Sequence, residues 1–159
     1  MKHYIIDGNN LIGKIKSLNQ IQKSNKQQSR EKLTFLLARY FNKKKASVNL
    51  HFDGFENDTI KVSGIKIFYS GSISADEKIK HEIERSKNPR NIILVTSDTN
   101  LAAFGRVCSC QVLKSEELAK QINSENSADE EQTKIDSINS TEEFKKLFGI
   151  KFIDKSELK

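Results

Sequence analysis

The sequence predicts an α/β fold: a central, mainly parallel sheet flanked by helices. Short apolar runs rich in Ile and Val recur along the chain, and longer amphipathic segments separate them. Several of these runs lack polar alternation, as strands covered on both faces of a sheet do. A chain of 159 residues can bury one core, so we expect a single domain and treat any further segment as an appendage.

Five strands are predicted from the apolar runs, over 3–6, 47–52, 65–69, 91–96 and 111–113. Between the first two, a helix is predicted over 26–42, because Leu33, Leu36, Leu37 and Tyr40 form one apolar stripe at helical spacing.

Three further helices are predicted from their start signals. Ser74 precedes Glu77 by three residues, which is a capping-box pattern for a helix to about residue 86. A short helix is expected after Asp98, ended by Gly105, and another after Ser115. The alternation of strands and helices is then complete at about residue 121.

The C-terminal part of the chain has a different composition. From 122 to 140 it consists mostly of Asn, Ser, Glu, Asp and Gln, which predicts a flexible polar linker after a domain over 1–121. Over 141–159 we expect a helix capped by Thr141 and ended by Gly149, followed by an apolar tail.

Composition excludes several classes of protein. No apolar run approaches the roughly 18 residues needed to cross a bilayer, and the N-terminus has no signal-peptide pattern, so we expect a cytoplasmic protein. Cys108 and Cys110 are too close in sequence for an unstrained disulfide and too few for a structural zinc site, so both are predicted to be free thiols. None of the three histidines lies in a zinc or triad spacing.

Positive charge is concentrated in the body of the chain. Residues 1–122 contain 21 Lys or Arg against 12 Asp or Glu, whereas residues 123–159 contain 6 against 9. A basic body suits a polyanion such as a phosphate backbone. Lysine used for solubility explains the same surplus equally well.

Acidic residues follow the predicted strands. Asp7, Asp53 and Asp98 each come just after one, and Asp76 lies in the first turn of the helix after another. The carboxyl ends of parallel strands share one edge of a sheet, so these four acids are expected to converge there. Crowded carboxylates repel one another unless a divalent cation neutralises them, and oxygen ligands select Mg²⁺ or Mn²⁺. Such an ion can activate water for attack on a phosphodiester without a histidine.

Each acid taken singly has a plainer explanation. Asp is common after strands because it begins turns and caps helices, and Ser97, Asp98 or Thr99 could each cap the following helix. The convergence of the four acids is therefore the argument for a metal site.

Other residues are assigned supporting roles at this edge. Gly8 is expected to permit a tight turn after the first strand, with Asn10 orienting Asp7 or a metal-bound water; a plain Asx-rich turn is the alternative. Arg30 at the start of a helix and Arg106 after Gly105 are candidate phosphate ligands.

Five segments resemble, in order and spacing, motifs of the YacP-like branch of the NYN domains, within the PIN-like ribonuclease superfamily. They are DGNNLI from Asp7, SREKL from Ser29, FDG from Phe52, SADE from Ser74 and VTSD from Val95, and they cover roughly residues 3–121. The sequence departs from the pattern at Asn9, where the family often has an aromatic residue.

The resemblance implies a PIN-like fold and metal-dependent endonucleolytic cleavage of RNA. It further implies that Asp7, Asp76 and Asp98 bind Mg²⁺ or Mn²⁺, that Asp53 contributes, and that Asn10 and Glu31 support them. A non-catalytic module that grips RNA or a ribosomal surface is the alternative. A phosphatase or nucleotide-binding enzyme fits less well, because the chain has neither a Gly-x-x-x-x-Gly-Lys loop nor an Asp-x-Asp pair at the first strand.

Overall fold

The structure is a computed structural model in which residues 1–125 are described. Residues 1–122 form one compact unit. Its strands are β1 (Lys2–Asp7), β2 (Ala46–Phe52), β3 (Ile65–Tyr69), β4 (Ile92–Val95) and β5 (Gln111–Leu113). The helices of the described residues are α1 (Gly8–Lys14), α2 (Lys16–Ser24), α3 (Lys26–Phe41), α4 (Ala75–Arg85), α5 (Thr99–Val107) and α6, which covers 115–125; a 3₁₀ turn covers Pro89–Asn91.

The five strands form one parallel sheet in the order β3-β2-β1-β4-β5. This confirms the predicted fold class and all five strands. It also places β1 at the centre, where consecutive residues point to opposite faces and both faces are buried. Ile5 accordingly packs in one apolar cluster and Ile6 in the other.

Helices cover both faces of the sheet. Residues of α1, α2, α3 and α6 pack in the cluster around Ile6. Residues of α4 and α5 pack in the cluster around Ile5. The stripe predicted on the long helix belongs to the first cluster, with Leu33, Leu37 and Tyr40 buried and Leu36 packed against them.

Two helices, α1 and α2, occupy residues for which no helix was predicted. Gly8 does not form a tight turn but is the first residue of α1. A Cβ atom at Gly8 would lie 2.6 Å from the His51 carbonyl oxygen and 2.7 Å from the Phe52 ring. The glycine therefore allows the start of α1 to approach β2 closely.

Gly105 does not end α5, which continues to Val107. A Cβ at this position would lie 2.7 Å from a methyl carbon of Leu94, so the glycine again serves close packing of a helix on the sheet. Both thiols are free, as expected.

The helix that begins at 115 still continues at 125, four residues into the stretch over 122–140 for which a linker was predicted. The rest of that stretch, and the helix and tail predicted over 141–159, lie outside the described residues.

Candidate active site at the carboxyl edge of the sheet

The candidate site lies where the strand order reverses. Chain connections from β1 and β4 run in opposite directions across the sheet, which opens a crevice outside their carboxyl ends. Asp7 is the last residue of β1, and Thr96, Ser97 and Asp98 follow β4 directly. Three of the predicted motifs, those around Asp7, Asp53 and Asp98, therefore meet the same edge.

Asp7 is the central carboxylate of this edge. It precedes α1 at the N-cap position, where its side chain forms no cap hydrogen bond of standard geometry, although the Asn10 backbone amide acts to lower its pKa. The Thr96 hydroxyl donates to its Oδ2 atom at 3.1 Å. The pKa of Asp7 is raised to about 6, mainly by burial and in smaller part by the charges of Asp53 and Asp76, while hydrogen bonds from the Thr96 hydroxyl and the Asn10 backbone amide act to lower it. Asp7, Asp53 and Asp76 thus lie within electrostatic reach of one another, and the ionised form of Asp7 is disfavoured.

Asp53 and Asp76 meet at the start of α4. The Asp53 carboxylate accepts a hydrogen bond from the Ala75 amide at 2.7 Å, so it lies against the positive end of this helix. Asp76, in the first turn, pairs with Lys80 at 3.1 Å between Oδ2 and Nζ. Ser74 caps α4 as predicted, by accepting from the Glu77 amide.

Asp98 is joined to Asp7 through Thr96. The Thr96 Oγ1 atom donates to Asp7 and accepts a hydrogen bond from the Asp98 amide at 3.1 Å. The Asp98 side chain caps α5 by accepting from the Leu101 amide at 2.9 Å. Among the three residues that could have capped this helix, Asp98 is thus the cap.

These carboxylates can be compared with the needs of a divalent cation. Within residues 1–125, no group of three or more His, Cys, Asp or Glu side chains is arranged to hold a metal ion. Mg²⁺, however, usually takes one or two carboxylates and completes its shell with water and substrate phosphates. A desolvated Asp7 with raised pKa, next to two further negative charges, fits that mode of binding.

Two asparagines of α1 hold the surrounding loops. Asn10 Oδ1 accepts from the Ser97 amide at 2.9 Å and from the Ser115 hydroxyl at 2.7 Å, and so joins the chain after β4 to the start of α6. Asn9 Oδ1 accepts from the Asp53 amide at 2.8 Å. Asn10 therefore fixes the loops around Asp7. Its predicted role toward Asp7 or a water stays a prediction.

Arg30 differs from its predicted role as a phosphate ligand. Arg30 is 1% exposed. Its guanidinium donates to the backbone carbonyl oxygens of Asp53 at 2.5 Å and Phe55 at 3.0 Å. It lies 5.3 Å from the ring centroid of Phe52 and 5.4 Å from that of Tyr69. Arg30 thus holds the loop that carries Asp53 and faces away from solvent. The nearby Glu31 accepts from Gln27 at 3.0 Å.

Arg106 is exposed but lies at the wrong edge. It is in the last turn of α5, whereas Asp98 caps the first turn of that helix. Eight residues at about 1.5 Å each separate them by roughly 12 Å along the helix. The prediction placed Arg106 at the carboxylate edge, but α5 runs away from that edge, and sequence spacing alone does not give the direction of a helix.

Other residues at this edge were not singled out from the sequence. Thr96 is completely buried and joins two of the predicted ligands. Lys80 lies four residues after Asp76, a spacing that on a helix signals an ion pair and could have identified it. Lys14 is 3.9 Å from Glu116, which places a further cation beside the Asn10 network.

Fold and site together define an α/β protein with a carboxylate site at the switch point of a parallel sheet. The chain belongs to the YacP-like NYN domain family, whose model matches residues 4–155. This match extends beyond residue 121, at which the predicted domain and the five resembling sequence motifs ended. The search of curated proteins found no match.

Two solved structures have a similar fold. The crystal structure of Rae1 (YacP) from Bacillus subtilis matches with a TM-score of 0.70 and 22% identity, over 94% of this chain and 93% of that chain. The W164L mutant of Rae1 from the same organism matches with a TM-score of 0.69 and 22% identity, over 86% and 85%. At this identity, the similarity establishes the fold.

Among the described residues, no helix is long and apolar enough to span a membrane.

Proposed function

We propose that this protein is a metal-dependent endoribonuclease that hydrolyses RNA phosphodiesters at the carboxyl edge of its sheet. The observation that carries the proposal is Asp7: a half-buried carboxylate at the end of the central strand, beside two further acids, with its pKa raised to about 6. A purely structural role gives no reason to keep a charge where burial and neighbouring acids oppose it. Membership of the NYN family supports a nuclease-like role.

Asp7 is the first proposed ligand of Mg²⁺ or Mn²⁺, with Asp76, Asp98 and Asp53 as further ligands. When bound, such an ion would lower the pKa of a coordinated water and neutralise the leaving oxygen of the phosphodiester. The Thr96 hydroxyl holds Oδ2 of Asp7 and favours the ionised form of its carboxyl group. Lys80 supplies a positive charge beside Asp76 that an incoming phosphate can share.

RNA is the proposed substrate, and the ribosome is a further candidate partner. The surplus of Lys and Arg over residues 1–122 supports a polyanionic ligand. We propose the cytoplasm as the location of this activity.

Cleavage of a labelled mixed-sequence RNA tests the proposal. The full chain and Asp7→Asn are compared in Mg²⁺, in Mn²⁺ and in EDTA, with Asp58→Asn as a control because Asp58 is exposed in the loop after β2. We expect metal-dependent cleavage by the wild type and by Asp58→Asn, and its loss in Asp7→Asn. Equal cleavage by the two variants, or cleavage undiminished by EDTA, contradicts the proposal.

A non-catalytic RNA-binding module is the second candidate. It is favoured by the capping roles of Asp53 and Asp98, whose carboxylates each accept a backbone hydrogen bond at a helix start. RNA bound with similar affinity by the wild type and Asp7→Asn, and cut by neither, would select this function.

A further inference from the structure

A groove opens on the α4 side of the sheet, beside the edge strand β3. It has a volume of about 420 Å³, and its lining includes Asn49, His51, Phe68, Lys78, Glu82 and Arg85. His51 of β2 pairs in register with Phe68 of β3, so both side chains point to the same face. α4 packs on β1 and β2, and Phe68 on the edge strand remains 39% exposed.

The floor of this groove, which we call the Phe68 groove, is built from packed rings held by a hydrogen bond. The rings of Phe68 and His51 are stacked, with centroids 5.1 Å apart and planes 18° apart. His51 is fixed in turn by Glu82, whose Oε1 lies 2.8 Å from its Nε2. A firmly held aromatic ring with an exposed part is suited to stacking against a planar ligand.

The charged residues of the groove leave a positive surplus. The carboxylate of Glu82 is held within the protein, because His51, His3 and Asn49 all donate to it, and two cations of the lining stand against this one acid. Lys78 and Arg85 are exposed, and neither forms an ion pair within the described part of the chain. They lie seven residues apart on α4, about 10 Å along its axis.

We infer that the Phe68 groove binds a single-stranded segment of RNA, with a base stacked on Phe68 and phosphates contacted by Lys78 and Arg85. An aromatic platform flanked by cations is the usual means of gripping single strands. The choice of RNA rests on the proposed function. Lys78 is two residues beyond Asp76, about 3 Å further along the axis of α4, so one end of the groove lies at nearly the same height on this helix as the carboxylate edge.

Binding of a short fluorescent single-stranded RNA, measured by anisotropy in EDTA, tests the stacking contact without cleavage. We expect Phe68→Ala and Phe68→Leu to weaken binding by about tenfold, and Phe68→Tyr to retain it because it keeps the ring. Phe35→Ala is the matched control: Phe35 is 54% exposed on α3, which covers the opposite face of the sheet. It should leave binding unchanged.

The salt dependence of binding tests the two cations. Lys78→Gln/Arg85→Gln should reduce the slope of log affinity against log salt by about 1.4, since each phosphate contact to a single strand contributes about 0.7. Lys16→Gln/Lys23→Gln removes the same charge from α2 on the opposite face and should leave the slope closer to that of the wild type.

Failure to bind single-stranded RNA, or equal effects of the groove and control variants, overturns the inference; equal effects would leave the groove for a protein partner. Binding that depends on Phe68 in a protein that does not cleave would contradict the nuclease and keep the inference. Metal-dependent cleavage, combined with RNA binding that the Phe68 variants and the double variant of the two cations leave unchanged, would support the nuclease and overturn the inference about the groove.

Discussion

At the scale of single residues, Asp7 combines two properties that oppose each other. Its burial and its acidic neighbours disfavour the charge, while metal binding requires that charge. Residues of this kind occur at functional sites, where stability is given up for chemistry. The effect can be measured without any substrate.

Asp7→Asn should stabilise the fold at neutral pH. Because the folded pKa of about 6 lies above the ordinary value of 3.8, the wild type loses stability as the pH rises from 3.8 through 6. Above that range the charge costs about 2–3 kcal/mol at most, and the asparagine removes this cost. Urea unfolding of both proteins at about pH 7.5 and below about pH 4 is the measurement. The free energy of unfolding of Asp7→Asn should exceed that of the wild type at the higher pH, and the difference should vanish at the lower pH.

Asp58→Asn is the matched control for this measurement, since it removes an exposed carboxylate. A variant Asp7→Asn that is less stable than the wild type at neutral pH would mean that the Asp7 charge is favourable in the folded metal-free protein, and would remove the main argument for its role.

At the scale of elements, the position of α1 fixes the geometry of the site. Its first residue adjoins Asp7, and its two asparagines hold the loops after β2 and β4. The helix can approach β2 because Gly8 has no side chain to collide with the His51 carbonyl oxygen or the Phe52 ring.

Gly8→Ala should therefore destabilise the protein by about 1–3 kcal/mol, because backbone and a buried ring surround the added methyl group. Gly13→Ala, on the same helix, is the control: nothing lies within 4 Å of a Cβ there, and helix propensity favours alanine by up to about 1 kcal/mol. Denaturant midpoints with unchanged m-values measure both. Equal stability of the two variants would contradict the close approach of α1.

At the scale of the whole molecule, a partly buried hydrogen-bond network joins the sheet to α4. Glu82 of α4 accepts from His3 of β1 at 2.9 Å and from Asn49 and His51 of β2 at 2.8 Å each. Burial raises the pKa of Glu82, but the hydrogen bonds and charge of these partners outweigh it and lower the pKa to about 2.

The network predicts sensitivity to acid. Since the folded pKa of Glu82 lies below the ordinary value of 4.5, its contribution to stability is complete above pH 4.5 and is lost as the pH falls toward 2. Glu82→Gln should lower stability by on the order of 2 kcal/mol at neutral pH and show a smaller loss between pH 4.5 and 2.

Thermal unfolding across this range, with Glu84→Gln on the exposed side of α4 as the control, is the measurement. A loss on acidification that is the same in Glu82→Gln and in the wild type would show that other groups cause it.

Local patterns in the sequence carried much of the architecture. The apolar runs predicted all five strands, the Leu33 stripe and the Ser74 capping box predicted α3 and α4, and the position of acids after strands predicted where Asp7, Asp53 and Asp98 lie in the fold. These features are decided by spacing within a few residues, so the sequence contains them directly. α1 and α2 were not predicted: Leu11, Ile15 and Leu18 do recur at helical spacing, but they are spread over two helices of only 7 and 9 residues and the residue between them.

Tertiary structure decided what each side chain does at that edge. It buried Arg30 under the loop of Asp53, placed Arg106 at the far end of α5, and gave Asp98 to a helix cap. It also joined Thr96 to Asp7 across 89 positions of the chain and His3 to Glu82 across 79. Such contacts depend on strand register and on the direction of crossover helices, which a linear sequence does not express until the chain has packed.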